Sequence, residues 1–235
     1  PPPPPPPPFG VVTDTTFATI GDGAELRWIA SANAYEIKLP DQDWQRLNLK
    51  ATYSGSEVHS PASGAFDVSV IKNLDYDYTS LASWSDKGSS GITGEFLYGI
   101  ATAANDVPIA GSASYTAQIF GNDGYTVSGN ASMTFDFGAG TLSGFMKPVI
   151  IDGWGTAFDL GQYDFTQTVY SAGSTIFSGQ FIVPGGGSTA DSGFNGRFTG
   201  PQAAELMASF HAPFVDPYSL QWDTLNGLWI GKKDK

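Results

Sequence analysis

The chain has no cysteine. Disulfide scaffolds, thiolate metal sites and cysteine nucleophiles are therefore excluded. Charge is also scarce: Asp, Glu, Lys and Arg make up 14% of the residues, against about 25% in an average soluble domain. Positive charge is the scarcest, with 11 Lys and Arg against 23 Asp and Glu and a net charge of −12. Such a chain offers no basic face to nucleic-acid phosphates and no electrostatic anchor to an anionic membrane. There are two histidines, His59 and His211, so with no cysteine a structural zinc site of the usual kind is not expected. Nowhere is there an apolar run of about 18 residues, the length a bilayer-spanning helix needs. From Phe9 to about Tyr98 no stretch sustains the period of an amphipathic helix.

What is present suits many short strands joined by tight turns. Hydrophobic residues are 41% and aromatics 14%, with 29 glycines and 16 prolines, and a chain of 235 residues can build one large β domain or two small ones. The acidic balance either keeps the surface soluble and monomeric by self-repulsion or forms a face that steers a basic partner. The chain opens on Pro1 to Pro8, which reads as a mature or trimmed end. Eight prolines make a polyproline II rod of about 25 Å, a stiff stalk, or else a tail or a ligand for proline-reading domains.

From Phe9 to about Tyr98 the pattern is mixed. Ala24–Ile29, Ala34–Leu39 and Asp67–Ile71 alternate as strands, and Asp75-Tyr76-Asp77-Tyr78 sets acids against aromatics with period two. From Gly111 the alternation sharpens. Ala113, Tyr115, Ala117 and Ile119 share one face, Asn122-Asp123-Gly124 is a hairpin turn, and Ala131, Met133, Phe135 and Phe137 line the return strand. Gly138-Ala139-Gly140 turns the chain into Thr141–Met146, and further strands read at 163–170, 176–183, 194–198 and 228–230. This is an antiparallel meander with one face in the core. Gly144, Gly179, Gly193 and Gly196 lie inside strands, where glycine serves hard bends. Closing the sheet removes its edges, so the expectation is an all-β antiparallel barrel. Pro201 followed by Gln202, Ala203, Ala204, Glu205, Leu206 and Met207 predicts one short helix over about 201–207.

No catalytic constellation emerges. Gly185-Gly186-Gly187-Ser188-Thr189-Ala190 loosely fits a dinucleotide fingerprint, but with no helix behind it the stretch reads as a turn. His59 reads as solvated in a polar loop, and His211 as a packing or hydrogen-bonding residue at a strand start. Axial haem ligation is the functional alternative for either. The pairs Asp41/Asp43 and Asp75/Asp77 read as solvated, because catalytic carboxylates need burial to separate their pKa values. Aromatics in loop-like surroundings are the better lead for binding: Trp44, Trp84 and Trp154, with Tyr76 and Tyr78 beside Asp75 and Asp77. The alternative is that these loops fold back with the indoles inside. Neither an enzyme nor a cofactor is expected.

Three stretches together carry a family resemblance. They are Gly129–Phe137 with Gly140-Thr141-Leu142-Ser143-Gly144; Phe177-Ser178-Gly179-Gln180-Phe181; and Gly193-Phe194-Asn195-Gly196-Arg197-Phe198-Thr199-Gly200-Pro201-Gln202-Ala203-Ala204-Glu205-Leu206. The pattern resembles the barrel domain of transferrin-binding protein B and its relatives, and the match runs from about Gly111 to Phe214. In that family Gly193, Phe194, Gly196, Phe198, Gly200, Pro201, Ala204 and Glu205 would form the barrel-closing element. Relatives commonly carry Gly-Gly after Glu-Leu, whereas here Met207-Ala208 follow. The resemblance implies a barrel of about eight strands over 106–235, a small β-rich handle over 9–105, and residues 1–8 as the stalk. It further implies a lipid-anchored protein of the Gram-negative outer-membrane surface, with its anchor upstream of Pro1. Such a protein binds a ligand or carrier, with haem or an iron carrier as cargo, and works with a TonB-dependent receptor. A structural or adhesive surface protein without small-molecule cargo is the alternative.

Overall fold

The computed structural model describes residues 7–72, 74–88 and 93–235. Of the stalk expected over 1–8, all but Pro7 and Pro8 lie outside the described residues. The chain forms two compact units, one ending at Ala101 and one running from Thr102 to Lys235, and each has its own apolar core.

The first unit is a nine-stranded antiparallel sheet. Its strands are β1 (Thr15–Thr16), β2 (Ala18–Gly21), β3 (Glu25–Ile29), β4 (Ala34–Lys38), β5 (Gln45–Tyr53), β6 (Ser56–Pro61), β7 (Phe66–Ile71), β8 (Thr79–Asp86) and β9 (Gly94–Gly99). Consecutive strands from β3 to β9 are neighbours, and the two outermost strands are β1 and β2. These are successive pieces of one segment: β1 pairs with β3, β2 pairs with β9, and between them the Phe17 N–H donates to the Leu26 carbonyl at 3.0 Å. One bent segment thus covers both edges, and the sheet nearly closes. Leu26, Trp28, Tyr35, Ile37, Val68, Val70, Phe96 and Tyr98 point to the inside, in pairs two residues apart on their strands.

The second unit is a closed barrel. Its strands are β10 (Ser112–Asp123), β11 (Tyr125–Asp136), β12 (Thr141–Ile151), β13 (Ala157–Asp159), β14 (Tyr163–Val169), β15 (Ile176–Ile182), β16 (Gly193–Thr199), β17 (Glu205–Val215) and β18 (Trp222–Lys233). Eight of them form the ring and β13 hangs on β12. Pairing of β10 with β18 closes the ring, with Tyr115 opposite Lys233 and Phe120 opposite Leu228. The expected all-β antiparallel barrel is borne out.

Rings fill its interior. Phe198 packs 4.8 Å from Phe135, 5.4 Å from Phe177 and 5.9 Å from Tyr115. A second layer joins Phe165, Phe181, Phe194, Phe210 and Trp229. The strand glycines serve this packing. A side chain on Gly196 would collide with the Phe177 ring, and one on Gly179 with the Phe194 ring. Each glycine is a seat for the aromatic of its neighbouring strand.

Three expectations are corrected here. The helix over 201–207 is instead a single 3-10 turn, Pro201–Ala203, followed by β17. Gln202 and Ala203 take left-handed φ values of 52° and 54°, which no helix tolerates in succession. Helix propensity yields to pairing, because Leu206, Ala208, Phe210, Ala212 and Phe214 alternate into the core. Asp75–Tyr78 is a pair of bends, and the strand starts only at Thr79. His59 is not in a solvated loop: it lies on β6, 1% exposed, because the sheet curls over it.

Candidate functional site

All loops at one end of the barrel arise from strand pairing. The β10–β11 turn at Gly124, the segments 152–156 and 160–162, the 183–192 loop and the 216–221 turn cluster at the end away from Thr102. Two aspartates build this crown. Asp152 accepts the N–H groups of Trp154 at 2.9 Å and Thr156 at 2.8 Å, and the hydroxyl of Tyr218. Gly155, at φ 86°, lets the turn fold back so that its N–H reaches the Asp152 carbonyl at 3.0 Å. Asp216 accepts the N–H groups of Tyr218 at 3.0 Å and Ser219 at 2.6 Å, and the hydroxyl of Tyr125. Each carboxylate therefore ties two loops together through a phenol. Tyr218 also packs edge-on against Phe158 at 5.5 Å.

These bonds leave large apolar side chains in water. Trp154 is 88% exposed, Leu220 72%, Tyr218 56% and Trp222 49%. Leu220 is held at φ 56°, a strained backbone for a bulky residue. The Trp222 ring rests against the backbone at Gly187, where a side chain would displace it. Around these residues stand the exposed carboxylates Asp159, Asp164, Asp191 and Asp223. Between Lys147 and Lys232 the sequence contains a single cation, Arg197, which pairs with Ile176 toward the other end of the barrel. The crown is thus apolar at its tips and acidic around them.

Hydrogen bonding fixes the charge state of the crown. The backbone N–H of Ser219, then the Tyr125 hydroxyl, hold the Asp216 carboxyl down to about 2. The Tyr218 hydroxyl, with the turn amides, holds Asp152 below its ordinary range. In return Asp216 pushes the Tyr125 phenol up to about 12, and Asp152 raises Tyr218. Both pairs are carboxylate with neutral phenol at any ordinary pH, so they are structural clamps rather than proton-transfer groups.

Of the five aromatics expected to bind, only Trp154 stands in this crown. Trp84 lies not in a loop but on β8, partly buried against the first unit's core, because Val68 pairs with it across the sheet. Trp44 is half-buried ahead of β5, with the Arg27 guanidinium stacked 4.1 Å over its ring. Tyr76 and Tyr78 are half-buried in the bends between β7 and β8. Asp41, Asp43, Asp75 and Asp77 are exposed. His211 is exposed midway along β17, its ring over Gly193, not packed at a strand start. Gly193, Phe194, Gly196 and Phe198 form β16, Gly200 and Pro201 the turn, and Ala204 and Glu205 the entry to β17. The sequence reading passed over Tyr125, Asp152, Asp216, Tyr218, Leu220 and Trp222. The Asp216-Pro217 start of a turn was the available signal.

No family model matches the chain, and no curated protein matches it. Among solved structures it is similar to the vaccine antigen transferrin binding protein B from Haemophilus parasuis Hp5. That match has 14% identity and a TM-score of 0.51, covering 89% of this chain and 50% of that one. It is also similar to the isotype 1 transferrin binding protein B from serogroup B Neisseria meningitidis. Here identity is 15% and the TM-score 0.50, with coverage of 94% and 43%. The chain spans half or less of the length of these structures. It has the fold found in transferrin binding protein B, a closed eight-stranded barrel accompanied by a nearly closed sheet, and the resemblance seen in the residues is borne out as a likeness of fold.

Proposed function

We propose that this chain is a non-enzymatic binding module of a cell-surface lipoprotein and that the barrel crown is its docking surface for a basic partner protein. One observation carries the reading: Asp152 and Asp216 hold Trp154, Tyr218, Leu220 and Trp222 out in water, above a barrel whose interior is already full of rings. Exposed aromatics on ordered loops cost free energy unless a partner covers them, and tryptophan and tyrosine dominate binding hot spots. A filled barrel leaves recognition to its rim. The acidic surround favours a partner with lysines and arginines around an apolar centre. The fold found in transferrin binding proteins supports a carrier protein as partner, and transferrin itself is not assigned. On the same reading the protein is lipid-anchored at the outer membrane and delivers cargo, iron or haem among the candidates, to a TonB-dependent receptor.

The test is a pull-down from the native outer membrane, followed by affinity measurements with Trp154→Ala and Leu220→Ala. A loss of about 2 kcal/mol or more from Trp154→Ala, with an unchanged unfolding midpoint, matches a hot spot. Wild-type affinity in both variants would place the partner elsewhere.

A further inference from the structure

The first unit buries an ionisable cluster that the crown does not use. Glu57 and His59 stand two residues apart on β6, opposite the core residues Val70 and Val68 of β7, and residues opposite each other in a strand pair share a face. Glu57 is 6% exposed and His59 1%. One carboxylate oxygen, Glu57 Oε2, lies 3.2 Å from His59 Nε2 and 3.2 Å from Lys72 Nζ. The Tyr35 ring of β4 packs edge-on against the imidazole at 5.2 Å, and Tyr98 of β9 lies 6.5 Å from Tyr35. On β5 the strand neighbour of His59 is Leu49. The titratable groups around His59 are thus Glu57, Lys72 and two phenols. Burial raises both phenols, so both are neutral at any ordinary pH.

Burying a carboxylate costs several kcal/mol unless it is paired. At neutral pH the pairing closes. Lys72 balances the charge of Glu57, and a neutral imidazole donates its Nε2–H to the same carboxylate. A second proton on the ring would leave two cations on one buried oxygen. Lys72 can leave for water, because its side chain is 28% exposed, whereas that of His59 is 1% exposed. Burial, more than the Lys72 charge, keeps the imidazole below its usual range, against the pull of Glu57.

We infer that this cluster makes the first unit an acid-sensitive switch: as pH falls, His59 takes up a proton, Lys72 is displaced from Glu57, and the sheet opens more readily. The folded imidazole titrates below the roughly 6.5 of an unperturbed histidine. Its contribution to stability is therefore whole above about pH 6.5 and is lost as pH falls through the folded midpoint. No crown residue takes part, so the switch stands apart from the docking surface.

The His59 imidazole is titrated by NMR in the full chain, and hydrogen-exchange protection of the β6 and β7 amides is measured from about pH 7.5 to about 5. His59 should titrate below about 6.5. Protection in β6 and β7 should fall by up to about tenfold for each pH unit between there and the folded midpoint. Lys72→Met should raise that midpoint, because Glu57 then lacks its cation, and Glu57→Gln should lower it. His59→Gln should remove the loss of protection, while His211→Gln, at an exposed position, should keep it. If a variant fails to fold, titration and exchange in the unaltered protein decide the matter. A His59 midpoint at or above about 6.5, protection that does not change with pH, a midpoint unmoved by Lys72→Met, or an undiminished pH dependence in folded His59→Gln would each overturn the switch.

Discussion

Phe198 meets Tyr115, Phe135, Phe137, Tyr170 and Phe177 in one layer of rings. Phe198→Ala should cost about 3–5 kcal/mol, the usual penalty for emptying a buried phenylalanine site. Denaturant titration measures it, and a change under about 1 kcal/mol would show that the layer closes over the gap. Two of the three tryptophans expected to bind, Trp84 and Trp154, separate at this scale. Trp84→Ala removes a ring packed on the first unit's core and should lower the unfolding midpoint. Trp154→Ala removes an exposed ring and should leave that midpoint unchanged. Equal midpoint losses in the two variants would contradict their placement. Local composition could not distinguish them: both sit among small polar residues and an aspartate. Only the pairing of β8 with β7 and β9 turns Trp84 inward. His59 was misread for the same reason, since Glu57-Val58-His59-Ser60 looks like a solvated stretch until a curled sheet covers it.

The 216–221 turn shows how a single carboxylate orders an element. Asp216 is held down to about 2, below the roughly 3.9 of an unperturbed aspartate. Because the folded pKa is depressed, its contribution to turn order is complete above about pH 4 and is lost as pH falls through about 2. The amide resonances of Tyr218 and Ser219 should therefore hold constant from neutral pH down to about 4 and shift only below it. A midpoint near 4 would mean that Asp216 does not carry the turn. Most strands were legible at this level because alternation with period two survives in the linear chain, as in Tyr115, Ala117 and Ile119 on β10. The 201–215 segment was not. Gln-Ala-Ala-Glu-Leu-Met has strong helix formers, and nothing local reveals that β16 and β18 lie on either side of it.

For the molecule as a whole, the net charge of −12 acts before contact. If the partner is basic, its association rate should fall as salt rises from about 0.05 to 0.5 M, because the Debye length shrinks from above 10 Å toward a few ångströms. Dissociation, governed by the apolar tips, should change far less. Stopped-flow or surface-based kinetics would separate the two, and a salt-independent association rate would remove charge from the recognition argument. The fold class, the meander, the hairpin at Gly124 and the ring-filled barrel interior were determined by the sequence itself. Their signals are local: an alternating face, a turn residue, a glycine beside an aromatic. The tertiary structure alone decided which aromatics face water, which acids clamp turns, and that Glu57 and His59 lie buried behind Lys72. Those outcomes depend on residues far apart in the chain, such as Asp152 with Tyr218 and Asp216 with Tyr125. Only closure of the sheet brings such residues within hydrogen-bonding distance.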